Sequence, residues 1–239
     1  MIIFPAIDIR EGKCVRLLKG NFDNVTKYKK SPIDQANEFC NLGFNNIHLV
    51  DLDAALEKKY SNENIIKEIS KIKKIQIQIG GGVRSLDHIK KLLDLGVDKV
   101  ILGTAAIEKI EFLKTACDKF KNRIALALDA RKGYIALSGW KKQTNILASD
   151  FIKKVNDINI SRIIYTDIDR DGTKSGPNLE ETINLSNLIN TPIVISGGVS
   201  SIADVVNIKK NKLANFEGMI IGKAIYDGNI DIKKLSEMI

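Results

Sequence analysis

Short apolar runs alternate with longer amphipathic stretches along the whole chain. Runs rich in Ile, Val and Leu fall at roughly 2–8, 46–51, 75–80, 98–103, 123–129, 162–167, 192–196 and 217–222. They lack strict in–out alternation, as expected of strands whose two faces are both buried. Between them, apolar residues recur at helical spacing over roughly 32–43, 62–73, 85–95, 108–120, 148–158, 178–189, 201–211 and 231–238. Helix-start chemistry stands at Ser31-Pro32, Ser61-Asn62, Ser85 and Ser200-Ser201. Eight strands, each followed by a helix, predict an α/β fold of the (β/α)8 barrel type. An open doubly wound sheet is the alternative, but it rarely joins eightfold alternation to internal repetition.

The repetition is explicit. Ile79-Gly80-Gly81-Gly82-Val83 returns as Ile195-Ser196-Gly197-Gly198-Val199, 116 positions on, and Val100-Ile101-Leu102-Gly103-Thr104 is echoed by Met219-Ile220-Ile221-Gly222-Lys223. Ile47–Asp53 aligns with Ile163–Asp169 at the same offset, and Pro5-Ala6-Ile7-Asp8 answers Leu126-Ala127-Leu128-Asp129 at 121. The chain therefore reads as one barrel of 239 residues built from two half-barrels, roughly 1–121 and 122–239.

Composition narrows the class. An apolar content of 44% suits one large core, and no linker-like stretch divides the chain. No apolar run approaches the roughly 18 residues of a membrane span, and the start lacks the features of a signal peptide. Cys14, Cys40 and Cys117 are scattered and without metal-ligand spacing, which points to a reducing, cytoplasmic setting. The net charge of +8 invites a nucleic-acid reading, but the lysines are spread over helix surfaces, as in Lys71-Ile72-Lys73-Lys74. A solvated surface that attracts an anionic metabolite accounts for it, with no nucleic acid or membrane as partner.

In a barrel the chemistry gathers at the strand C-terminal ends, where Asp8, Gly81, Gly103, Asp129, Thr166, Gly197 and Gly222 all fall. Gly81-Gly82 and Gly197-Gly198 each precede a helix start, a pattern that brings backbone N–H groups to a bound anion. Gly103-Thr104 and Gly222-Lys223 supply the partner loops. Two such devices across one mouth imply a small-molecule bisphosphate. Asp8 and Asp129, opposite each other between them, suit acid–base work. Thr166 is placed to orient a substrate or a carboxylate; Asp51 is read as its first-half counterpart in a buried hydrogen-bonding role. Trp140, the sole tryptophan, lies in a Gly-flanked loop suited to stacking on a heterocycle. His48 is read as a buried strand histidine and His88 as exposed on a helix; neither is a candidate for the main catalyst. No metal site and no cofactor is called for.

Jointly and in order, several segments resemble the ProFAR isomerase family of histidine biosynthesis. They are Pro5-Ala6-Ile7-Asp8 with Gly12-Lys13-Cys14-Val15-Arg16-Leu17, Gly80-Gly81-Gly82-Val83-Arg84, Leu128-Asp129-Ala130-Arg131, Gly139-Trp140, Asp171-Gly172-Thr173 with Gly176-Pro177-Asn178, and Ser196-Gly197-Gly198-Val199-Ser200. The resemblance implies a cofactor-free Amadori rearrangement of an N-linked aminoaldose bisphosphate carrying an imidazole carboxamide. In it, Asp129 protonates the ribose ring oxygen, Asp8 removes the C2 proton and Thr166 positions the ribose. Trp140 covers the substrate, while Arg84 meets a phosphate or the heterocycle. Gly172 lies in the sixth loop of the substrate site. A monomer is expected. A bifunctional isomerase also taking phosphoribosylanthranilate stays open, as do the related cyclase and a noncatalytic binder of phosphometabolites or nucleic acid. The family's first loop more often reads Gln-Gly-Asp where this chain has Lys19-Gly20-Asn21.

Overall fold

The computed structural model describes residues 1–18, 20–57, 61–173, 175–211 and 215–239; Lys19, in the first-loop departure, lies outside them. The first half comprises β1 (Ile2–Arg10), β2 (Lys13–Leu18), β3 (Asn21–Lys27), α1 (Pro32–Asn41), β4 (Asn46–Asp51), α2 (Leu52–Glu57), α3 (Glu63–Ser70), β5 (Gln76–Gly80), α4 (Leu86–Asp94), β6 (Lys99–Leu102), α5 (Thr104–Glu108) and α6 (Ile110–Lys119). The second comprises β7 (Ile124–Arg131), β8 (Tyr134–Leu137), β9 (Lys142–Leu147), α7 (Ala148–Lys154), β10 (Arg162–Asp167), α8 (Leu179–Ser186), β11 (Ile193–Ser196), α9 (Ile202–Lys210), β12 (Phe216–Ile221), α10 (Lys223–Tyr226) and α11 (Ile232–Ser236). Strands β1, β4, β5, β6, β7, β10, β11 and β12 pair in parallel in that order, and β12 closes the ring onto β1. The fold is a (β/α)8 barrel.

The lack of alternation in the strands has its cause here. Outward residues such as Ile7, Ile47, Leu49, Leu126 and Leu128 pack against the helices, with Phe39, Ile89 and Leu113. Inward residues Phe4, Ala6, Ile101, Ala125, Ile164, Val194 and Ile220 fill the barrel axis. Both faces are dry, so the sequence shows runs instead of a period of two.

Two hairpins add to the expected eight strands. β2 folds back antiparallel on β1, and β8 does the same on β7. Their turns match across the repeat: Glu11 and Gly12 have φ of 51° and 72°, Lys132 and Gly133 have 51° and 79°. Positive φ at both central residues is the twist-matched geometry of a two-residue hairpin. The repeat also persists in buried hydrogen bonds. Asp51 Oδ1 accepts from the N–H groups of Asp53 and Ala54 (3.1 Å each) and from Asn62 Nδ2 (2.8 Å). Asp167 accepts from Asp169 N (2.9 Å), Arg170 N (3.2 Å) and Asn178 Nδ2 (2.7 Å). Asp51 thus has the expected buried role, but its counterpart is Asp167; Thr166 corresponds to Val50.

Other departures are local. The stretch after β4 opens with α2 before α3, and short α5 and α10 precede the expected fourth and eighth helices. His88 is buried, at 7% exposure, and its backbone N–H donates to Ser85 Oγ. Its helix faces α3, to which Lys91 is tied by an ion pair with Glu63 at 2.5 Å. Among the described residues no helix is long and apolar enough to cross a membrane.

Candidate functional site

A cavity of about 650 Å³ opens at the C-terminal ends of the barrel strands. Its floor includes Ala6 and Ala127, repeat equivalents whose small side chains leave depth beneath the carboxylates above them. Asp8 and Asp129 share the inward parity of Ala6 and Ala127, two residues earlier on the same strands, so both face the cavity. Thr166 is in register with Asp129 on the adjacent β10.

The two carboxylates have different company. Asp8 Oδ2 lies 2.8 Å from Arg16 Nη1, with the two side chains 14% and 10% exposed. Burial pushes the Asp8 carboxyl above its ordinary range, and the Arg16 guanidinium pulls the other way. Arg16 also donates to the Ala6 carbonyl and lies 5.0 Å from the centre of the Tyr226 ring. The equivalent position beside Asp129 is Leu137, which is buried and apolar. Asp129 accepts hydrogen bonds from Trp140 and Thr166, and burial holds its carboxyl above the ordinary range with no cation alongside among the described residues. Asp171, from the sixth loop, shares the mouth: burial raises it to about 6, Arg16 opposing and Asp8 and Asp129 reinforcing the rise. Three crowded carboxyls and one guanidinium favour retention of at least one proton near neutrality.

The glycine pairs are close-approach points. A methyl group on Gly81 would lie 2.2 Å from the Asp51 carbonyl oxygen, and one on Gly197 2.7 Å from that of Asp167. The helices that follow them are capped from within, Ser85 accepting from His88 N and Ser201 from Asp204 N. Asp204 further accepts from the N–H groups of Ser200 and Ser201, at 2.9 Å each. Each side-chain cap takes a single N–H of its first turn, that of His88 in α4 and that of Asp204 in α9. At the cavity, α5 and α10, which begin at Gly103-Thr104 and Gly222-Lys223, have no side-chain cap at their N-termini, a feature shared with α3, α6 and α7. Arg84 is exposed at the rim, with Nη2 3.3 Å from the Ala55 carbonyl. Lys223 Nζ pairs with Asp227 at 3.1 Å.

Trp140 comes from the tip of the β8–β9 hairpin, where Ser138, Gly139 and Trp140 have φ of 57°, 63° and 68°. The hairpin is anchored by Thr104 Oγ1, which accepts from Ser138 N at 2.8 Å. The indole reaches across the mouth to the β2–β3 turn. There, a methyl group on Gly20 would lie 2.3 Å from its Cε3. The two repeat-related hairpins thus meet over the cavity, which Gly172 also lines. The candidate catalytic and substrate-binding residues read from the sequence all border this one cavity, whereas Asp51 does not. Sequence reasoning missed Arg16, Asp171 and the reach of His48 into the cavity floor; Arg16 and Asp171 stood inside segments quoted only for their resemblance.

A family model described as histidine biosynthesis protein matches residues 2–231. The chain belongs to the histidine biosynthesis protein family. Relatives named 1-(5-phosphoribosyl)-5-((5-phosphoribosylamino)methylideneamino)imidazole-4-carboxamide isomerase are similar over nearly their whole length. The protein of Pelagibacter ubique is 58% identical over 236 residues, covering 98% of each chain. That of Oceanobacillus iheyensis is 46% identical over 99% of this chain and 98% of its own, and that of Ruminiclostridium cellulolyticum 42% over 98% of each. Matching of this extent takes in both hairpins and both carboxylate-bearing strands of the family's barrel.

Proposed function

We propose that this histidine biosynthesis protein is the isomerase its relatives are named for, acting on ProFAR, the aminoaldose bisphosphate, to give the aminoketose. The observation that carries the assignment of roles is the unequal pairing of two opposed carboxyls, Asp8 with Arg16 and Asp129 with Trp140 and Thr166. Arg16 stabilises Asp8 as the carboxylate, the form that accepts a proton. Asp129, buried with no cation beside it among the described residues, keeps its proton and can give it away.

The steps follow from those states. Asp129 donates to the ribose ring oxygen as the C1–O bond breaks and the linking nitrogen forms a protonated Schiff base with C1. Asp8 takes the C2 proton, leaving an enolamine. Asp8 then returns a proton to C1, and the C2 hydroxyl proton restores Asp129 as the ketone forms. Hydrogen moves within one molecule, so acid–base groups suffice. The Thr166 hydroxyl holds Asp129 in place. Trp140 swings from Asp129 onto the heterocycle when substrate enters.

One phosphate is held by Gly81-Gly82 with the open end of α5 at Gly103-Thr104 and Arg84. The other is held by Gly197-Gly198 with the open end of α10 at Gly222-Lys223. Gly172 closes the site from the sixth loop. The protein acts as a cytoplasmic monomer on this small bisphosphate. A single-turnover assay with the aminoaldose bisphosphate, run beside phosphoribosylanthranilate, tests the reading. Aminoketose formation supports it; turnover of the second compound would make the chain bifunctional, and no turnover of the first would overturn it.

A further inference from the structure

A polar chain runs up the barrel axis beneath the carboxylates. Glu217 at the start of β12 pairs with Nη2 of Arg162 on β10. Arg162 Nη1 donates to Gln78 Oε1 at 2.9 Å, and Gln78 Nε2 lies 3.2 Å from His48 Nδ1. Arg162 and Gln78 are 6% and 2% exposed, so these contacts are sheltered from water. Chemistry fixes the orientation of each link. A guanidinium only donates, so the side of the Gln78 amide that faces Arg162 is its oxygen. Its NH2 then faces His48, which makes Nδ1 an acceptor and leaves the imidazole proton on Nε2. His48 borders the cavity, and no residue among those described takes a hydrogen bond from Nε2. Burial, with the Arg16 and Arg162 cations, pushes the imidazole down to about 3, so the ring stays neutral.

We propose that His48 is a further catalytic group, a neutral N–H donor on the cavity floor that binds the C2 oxygen of the reacting sugar. Gln78, Arg162 and Glu217 are the positioning residues that set its tautomer. The inference rests on the isomerase reading. His48 is the register partner of Ala6, and Asp8 stands two residues above Ala6 on the neighbouring strand. The base that takes the C2 proton and the donor to the C2 oxygen therefore occupy one side of the barrel. As that oxygen changes from hydroxyl to carbonyl it becomes a better acceptor, and a donor already oriented needs no reorganisation to meet it. His48 gives up no proton in the step.

The chain has two histidines, so the imidazole nitrogen-15 spectrum contains two ring systems, and His88→Gln assigns them. In the resting protein His48 is expected as the neutral Nε2-protonated tautomer. The aminoketose bisphosphate is expected to move its Nε2 resonance, whereas inorganic phosphate leaves it in place. Gln78→Glu presents an acceptor to Nδ1 and turns the ring to the Nδ1-protonated form. That variant should lose about a hundred- to a thousandfold in kcat with KM nearly unchanged, by analogy with removal of one oriented donor. His48→Gln, which keeps a side-chain N–H, should recover part of what His48→Ala loses. An Nδ1-protonated ring in the unaltered protein, or wild-type kcat in His48→Ala, overturns the proposal even where the isomerase reading stands. Absence of turnover by the unaltered protein overturns both, and the tautomer measurement tells the two failures apart.

Discussion

At the scale of single residues the site is a problem in proton placement. Asp8 and Asp129 come from equivalent strands, yet position 16 beside the first is arginine and position 137 beside the second is leucine. In the proposed mechanism that one difference separates a base from an acid. Asp8→Asn and Asp129→Asn should each lower kcat by about 10²–10⁴, the range for a general acid or base, with smaller effects on KM. Steady-state kinetics on the aminoaldose bisphosphate decide it; near-normal turnover in either variant removes that residue from the mechanism. Asp171 carries a different consequence. Its carboxyl is raised from 3.8 to about 6 chiefly by burial, so the folded state binds this proton more tightly than the unfolded chain does. Its contribution to stability therefore falls as pH rises from about 4 to about 6 and stays depressed above that. Asp171→Asn should be more stable than wild type at pH 8 by about 1–3 kcal/mol and nearly equal at pH 4. Urea midpoints at the two pH values check this, and a variant weaker than wild type at pH 8 contradicts it. Asp8, Asp129 and Thr166 were legible in the sequence because a strand end fixes where a side chain points. Arg16 was not, because a buried arginine and a surface one look alike until β2 is seen folding back over β1.

At the scale of elements, the strands were legible almost to the residue and the hairpins were not. β9 reads Lys-Gln-Thr-Asn-Ile-Leu, largely exposed and without an apolar run, so nothing in its hydropathy announced a strand. The turn residues at Glu11-Gly12 and Lys132-Gly133 were the available signal, since glycine there tolerates a left-handed backbone. The short α5 and α10 escaped notice for the opposite reason: four or five residues are too few to show a helical period. In the proposed reading these unforeseen pieces form a lid and provide two uncapped helix ends at the cavity. Gly20 tests the lid contact. It has φ of 68°, and a methyl group there would lie 2.3 Å from Cε3 of Trp140. Gly20→Ala should push the indole off the first loop while leaving the barrel intact. With one tryptophan in the chain, a red-shifted emission maximum reports it directly. KM should rise severalfold, since both hairpins border the substrate cavity. Unchanged emission together with unchanged KM would show that this contact does not shape the mouth.

At the scale of the whole molecule, the repeat separates the fold from the site. Residues 1–121 carry β1, β4, β5 and β6 in adjacent order with a hairpin on the first strand; residues 122–239 carry β7, β10, β11 and β12 in the same arrangement. We propose that boundary as the division between half-barrels. Each half would bury its outward strand faces under its own helices, but would leave unpaired the edges that meet in the β6–β7 and β12–β1 seams. The site, by contrast, belongs to neither half. Asp8 and Asp129 lie on different halves. Arg16 packs against Gly222 across one seam, Trp140 against Gly20 across the mouth, and Arg162 reaches Gln78 through the axis. The two fragments made separately should therefore be helical and prone to self-association through their open edges. Neither should turn over the aminoaldose bisphosphate, since each holds one carboxyl of the pair. Refolded together they should regain activity, and a mixture of Asp8→Asn first half with intact second half should not. Circular dichroism, sedimentation and the turnover assay distinguish these outcomes. Activity in an isolated half would mean that self-paired halves can rebuild the site, and would show that the asymmetry between Asp8 and Asp129 is dispensable.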